Sequence, residues 1–189
     1  NFRGLYTEGE RRHIVFADFY VDVSGVTGWD GPSLATPCVF WDNNYGSGYS
    51  STEFNDIEVY STSTLAFDAI QIVGTNCDKT KINNVSVVRS QTAAGAVVHV
   101  GTGAAVDILQ ITGVSGARVS NIVLFDGGAV NTVLTAGLSH RNANSGASVQ
   151  VTTQTLPRLR GSGSDTVLYS ATAGGGAITS KKTDATEDA

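Results

Sequence analysis

Asn55-Asp-Ile-Glu-Val-Tyr-Ser61 is followed by Ala69-Ile-Gln-Ile-Val-Gly74, Ile82-Asn-Asn-Val-Ser-Val-Val88, Ala96-Val-Val-His-Val-Gly101, Val106-Asp-Ile-Leu-Gln-Ile-Thr-Gly113 and Val119-Ser-Asn-Ile-Val-Leu-Phe125. Each is a short run of β-branched and aliphatic residues closed by small turn formers, the pattern of a strand. Two such runs make one unit: Ile57 to Val85 is 28 residues, Ile70 to Val98 is 28, and Val98 to Ile122 is 24. A period in that range predicts a solenoid in which successive coils stack and share one core.

Asn stands one or two residues before an aliphatic residue at Asn55, Asn84 and Asn121. An apolar core does not ask for Asn there, but a bend does, because stacked side-chain amides can bond from coil to coil and satisfy the turning backbone. The run His13–Gly25 alternates as well, with Val15, Ala17, Phe19, Val21 and Val23 on one side and Phe16, Asp18, Tyr20, Asp22 and Ser24 on the other. That run does not keep the coil period, so residues 13–50 are either a long excursion or an earlier coil with inserted loops. No window carries a 3.6-residue apolar stripe, so helices, if present, are short.

These "Asn-aliphatic-x-aliphatic" and "aliphatic-x-aliphatic-x-Gly" strands resemble the pectate-lyase-like superfamily of right-handed parallel β-helices, and within it the tail spikes and appendages of bacteriophages. The resemblance spans roughly residues 54–135 and is one of rhythm. It implies an all-β, right-handed parallel β-helix, a homotrimer, other chains of a larger assembly as neighbours, a polysaccharide ligand, and a place on a virion tail or outside a cell. The alternative fold is a β-sandwich or jelly roll, in which strands also recur every eight to twelve residues.

With 189 residues the chain can bury a core without disulfides or metals. Its organisation reads as a β-helix body over 1–141 with an aromatic-rich loop at about 26–52, a small β segment or cap over 142–178, and a flexible tail over 179–189, where Ala is the only hydrophobic residue type. The chain has no Met and opens inside patterned sequence, which suggests a boundary within a larger polypeptide. A net charge of −5 with scattered Lys and Arg argues against nucleic acid, and nothing approaches eighteen consecutive apolar residues, so no membrane span is expected. Cys38 and Cys77 read as two buried thiols or one disulfide, and leave the compartment open.

Twelve of the fifteen aromatic residues fall in the first sixty positions, which directs the search for a ligand surface there. Trp29, Trp41, Tyr45 and Tyr49 lie in or near a polar loop with Asp30, Asp42, Asn43 and Asn44, a mixture that suits sugars: rings pack on C–H faces while carboxylates and amides bond hydroxyls. The plainer reading is a loop that buries its own aromatics. Tyr20 and Tyr60, with Asp18 and Asp22, extend the candidate substrate-binding set. Asp18 and Asp22 stand about 13 Å apart on an extended strand, too far for a glycosidase pair.

Asp56 and Glu58 are the candidate catalytic pair. On one strand their Cα atoms stand about 7 Å apart, and inverting glycosidases hold their carboxyl groups roughly 6.5–9.5 Å apart, leaving room for a water. Any exposed strand also displays such acids simply to stay soluble. A lyase would need an Arg or Lys base, and Lys81, Arg89 and Arg118 show no selecting pattern. His13, His99 and His140 form no metal-spaced or nucleophile motif, and Gly174-Gly-Gly176 lacks the context of a phosphate loop, so no metal and no cofactor are expected. Three functions stay open: a tail-spike-like protein that binds bacterial surface polysaccharide, with or without cleaving it as glycoside hydrolase or polysaccharide lyase; a non-enzymatic structural fibre; and a secreted polysaccharide lyase or hydrolase.

Overall fold

A computed structural model of the chain describes residues 5–9, 13–28, 37–44, 50–75 and 77–141, together with short strands between 149 and 182. The strands are β1 (Leu5–Gly9), β2 (His13–Asp22), β3 (Cys38–Asn44), β4 (Ser51–Ser61), β5 (Asp68–Ile72), β6 (Cys77–Arg89), β7 (Ala96–Val100), β8 (Ala105–Thr112), β9 (Ser115–Ala117), β10 (Asn121–Phe125), β11 (Ala129–Ala136), β12 (Ser139–Arg141), β13 (Val149–Val151), β14 (Arg158–Gly161), β15 (Thr166–Val167), β16 (Tyr169–Ala171) and β17 (Lys181–Lys182). Among the described residues there is no helix.

Every strand of the body pairs in parallel with the strand one turn away. One sheet runs β1-β3-β5-β7-β10-β13-β16; the other runs β2-β4-β6 and then divides, β8-β11-β14 on one side and β9-β12 on the other. Parallel neighbours that recur once per turn make a β-solenoid, a parallel β-helix. A sandwich or jelly roll is excluded, because its sheets would be antiparallel. The antiparallel pair among the described residues is β15 with β17 at the C-terminal end, which includes Lys181 and Lys182 of the expected tail.

Register follows the sequence repeat: Ile57 lies opposite Val85, and Ile70 opposite Val98. Val98 then lies opposite Val123, one residue beyond the Ile122 that the period pointed to. Ile122 and Val123 are both buried, so apolarity could not fix the register there. Residues 13–22 prove to be an earlier coil, since β2 pairs with β4 residue for residue from His13↔Ser51 to Asp22↔Tyr60. The wide separation of 38 positions arises from the segment between β2 and β3.

A corner divides each long strand of the second sheet. Asp18, Asp56 and Asn84 have φ of 60°, 53° and 50°, and Gly113 and Gly137 have φ of 63° and 67°. The flanking pairs put all five in one column down the stack. A left-handed residue turns the chain and shifts the two-residue alternation by one, so the inward side chains bracket the corner three apart: Phe54 and Ile57, Ile82 and Val85, Ile111 and Val114. Asp, Asn and Gly are the residue types that enter this backbone region most readily.

The same slip corrects the alternation expected for residues 13–25. Val15 is 48% exposed, whereas Phe16 packs against the core; beyond Asp18 the inward set becomes Phe19, Val21 and Val23. Phe16 stacks on Phe54 at 5.1 Å between ring centroids and meets Phe40 edge-on at 5.5 Å, so aromatics fill the N-terminal end of a core that continues as Ile70, Ile82, Leu109 and Ile111.

Amides do bond between coils at the bend. Asn84 donates Nδ2–H to Asp56 Oδ1 at 2.7 Å, and Asn83 donates to Asn55 Oδ1 at 2.7 Å. Asn121 is not part of this ladder: it lies buried at the start of β10 in the other sheet. Above Asp56 the ladder meets Asp18, a second carboxylate with no donor to offer. Asp18→Asn is therefore expected to stabilise the fold by about 0.5–1 kcal/mol, through a new amide bond and loss of like-charge repulsion. Urea unfolding of the two proteins side by side checks it, and an unchanged or lower midpoint refutes it.

Cys38 and Cys77 are both buried and unpaired with one another. Burial, with the nearby charge of Asp68, pushes the Cys38 thiol up to about 12, and burial also raises Cys77. Both are inert packing groups by the ordinary rule for thiols that stay protonated.

Candidate functional site

The corner column has an outer side as well as an inner one. On it an open groove of about 380 Å³ is lined by Asp18, Phe19, Tyr20, Asp56, Ile57, Glu58, Asn84 and Ser86. Its walls are two rows running down the stack. One is the corner itself, Asp18, Asp56 and Asn84; the other is Tyr20, Glu58 and Ser86, paired in direct register. Three consecutive turns thus contribute two outward residues each, with rungs about 4.8 Å apart.

Four of the ten sequence-predicted site residues meet here: Asp18, Tyr20, Asp56 and Glu58. The geometry of the catalytic pair differs from the one expected, because the chain bends at Asp56 and Glu58 lies on the next face of the coil. Both remain exposed and both line the groove. Tyr20 is 65% exposed, its ring standing where a ligand can pack. Its phenol is pushed above the usual range, first by desolvation and then by the charges of Asp22, Glu58 and Tyr60, so it is a hydrogen-bond donor at neutral pH.

Asp22 has a different task. Its Oδ1 accepts the Ser24 backbone N–H at 2.8 Å, and bonding to Ser24, side chain before backbone, holds the carboxyl below its ordinary range. Ser24 in turn accepts the Thr62 N–H at 3.0 Å, so Asp22 shapes the turn that leaves β2. Tyr60 lies opposite Asp22, half-buried and one outward position beyond Glu58. Trp41 is half-buried on β3, in the other sheet, in register with Tyr6 and Gln71. Trp29, Tyr45 and Tyr49 lie outside the described residues.

Asn84 and Ser86 belong to the groove although the sequence reading assigned them no ligand role. The signal was present: the 28-residue period carries Asp56 onto Asn84 and Glu58 onto Ser86. The three cations weighed for a lyase are engaged elsewhere. Lys81 is paired with Glu53 at 2.5 Å, Arg89 is buried beneath two turns, and Arg118 bonds the Ser90 carbonyl. Every charged residue lining the groove is acidic. Among the described residues no group of three or more His, Cys, Asp or Glu is placed to hold a metal ion.

Chemically, the groove offers an aromatic face for C–H packing, an amide and a hydroxyl for sugar hydroxyls, and carboxylates on two adjacent rungs. Comparison with known proteins returns no match: no family model, no curated protein and no solved structure is similar to the chain.

Proposed function

We propose that this chain is part of a tail-spike-like protein that binds bacterial surface polysaccharide in the corner groove and hydrolyses a glycosidic bond there. The observation that carries the reading is the convergence of Asp18, Tyr20, Asp56, Glu58, Asn84 and Ser86 on one open groove spanning three turns. Tyr20 is the stacking platform, Asn84 and Ser86 bond hydroxyls, and Asp56 and Glu58 are the carboxylate pair, one protonating the leaving oxygen and the other activating water. An acidic lining with no lining cation favours a neutral or amino-sugar glycan over a polyuronate, which the carboxylates would repel. Assembly as a homotrimer and a position on a virion tail or outside a cell belong to the same proposal.

The test is reducing-end release from capsule and lipopolysaccharide preparations. The parent protein is expected to release ends, Asp56→Asn/Glu58→Gln to lose at least about 100-fold of that rate, and Tyr20→Ala to weaken binding while leaving the fold intact. Equal release by the double variant moves the chemistry elsewhere on the molecule. A second reading, a structural fibre, has one observation in its favour: Asp56 already serves the inter-coil ladder through Asn84. It predicts neither glycan binding nor release by the parent.

A further inference from the structure

His99 lies in the other sheet, on β7, and is 5% exposed. Its Nδ1 is 2.7 Å from Asp68 Oδ2 on β5, one turn before, and its Nε2 is 3.8 Å from Asp126 Oδ2 in the turn after β10, one turn later. Among the described residues Nε2 has no hydrogen-bond partner. One imidazole thus lies between carboxylates of the preceding and following coils.

The two nitrogens constrain the protonation state. Asp68 is 1% exposed and already accepts the Ala96 N–H through Oδ1 at 2.8 Å, so its Oδ2 is served by a proton on Nδ1. In a neutral ring Nε2 then carries a lone pair, buried and facing the negative Asp126. In the cation, Nε2 carries a proton and faces an acceptor. The remaining groups around the ring agree. Gln71 approaches Nδ1 at 3.3 Å through its amide, whose Oε1 is without a partner as placed and gains one if the amide is turned over. Arg89 from β6 and the Cys38 thiol from β3 both feel the charge of Asp68, the carboxylate that the ring shares with them.

We propose that His99 is an imidazolium clamp that holds three successive turns of the solenoid together and lets go of the third when it loses its second proton. The Asp126 turn is the part released. It is the exposed end of the chain of contacts, with a side chain 55% exposed, and it rests on the preceding coil through Asp126 N–H to Val100 O at 2.8 Å and Thr102 Oγ1–H to Asp126 O at 3.1 Å. The sign follows directly: attraction between His99 and Asp126 exists only in the protonated state. It is present while both ring nitrogens carry protons and disappears, as pH rises, with the loss of the second.

The experiment uses the full chain, its Asp126→Asn variant and urea unfolding at pH 5.5 and 8.5, with long-range proton–nitrogen NMR of the His99 ring. At pH 5.5 both ring nitrogens are expected to carry protons, and Asp126→Asn to lower the folded-to-unfolded ratio about two- to fivefold, with an effect below about twofold at pH 8.5. A neutral ring with only Nδ1 protonated at pH 5.5 overturns the proposal, as does an Asp126→Asn effect equal at the two pH values. Since Asp126 is on the surface, the variant folds whichever answer it gives.

Discussion

Arg89→Ala is expected to lower the stability of the protein by about 3–5 kcal/mol, the range found when one partner of a buried charged network is removed. Arg89 ends β6 and is 2% exposed. Its guanidinium donates to the carbonyls of Phe67 at 2.7 Å and Ala94 at 3.2 Å, reaches Leu65 at 3.5 Å, and lies over the Phe67 ring at 3.9 Å from the centroid. One side chain therefore fastens two successive irregular segments, β4 to β5 and β6 to β7, that carry the chain from the second sheet back to the first. Burial pulls the guanidinium pKa down to about 10, with Asp68 opposing the shift, so the charge is retained at neutral pH at some expense. Chemical denaturation measures the loss. Arg89→Lys should fall between the two proteins, because an ammonium keeps the charge but cannot span three carbonyls. An alanine variant within about 1 kcal/mol of the parent contradicts this account of the turns.

Phe54→Ala is expected to cost about 3–5 kcal/mol as well, by cavity formation and loss of ring contacts. Phe54 is wholly buried, stacked on Phe16 at 5.1 Å and edge-on to Phe40 at 6.0 Å. The loss should be uneven. Phe16 belongs to the first described coil, whose β2 pairs among the described residues with β4 alone, so amide exchange should accelerate most in β2 and least in β8 and β11. Uniform acceleration along the stack would show that the coils do not loosen locally.

The solenoid was legible because its repeat is long-range and apolar: Ile57 and Val85, or Ile70 and Val98, are bound to coincide once turns stack. The corner was less legible. Asp18 and Asp56 look like outward residues of straight strands, and only a left-handed φ reveals that the alternation slips there, which is why Val15 and Phe16 exchange sides relative to expectation. For the site, acids and a tyrosine near the corner were recognisable as types, but a strand considered by itself has one dimension. Asn84 and Ser86 enter only when the next rung is laid beside Glu58. The role of Asp22 was hidden for a different reason: a carboxylate two residues before a backbone N–H forms a local turn as readily as it greets a ligand.

Register in this molecule passes from one turn to the next and no further. A coil of a parallel β-helix contacts its two neighbours alone, so folding behaves as a zipper: it can start wherever two turns first close and then advance in both directions, each new turn templated by the backbone of the last. The left-handed corner sets where templating restarts within every turn. A long connection between strands, such as the one from β2 to β3, is then silent, since the arriving strand takes its row from the strand of the neighbouring turn. A single residue added inside β4 or β6 would instead displace one half of the coil against the other and turn its apolar side chains out to solvent.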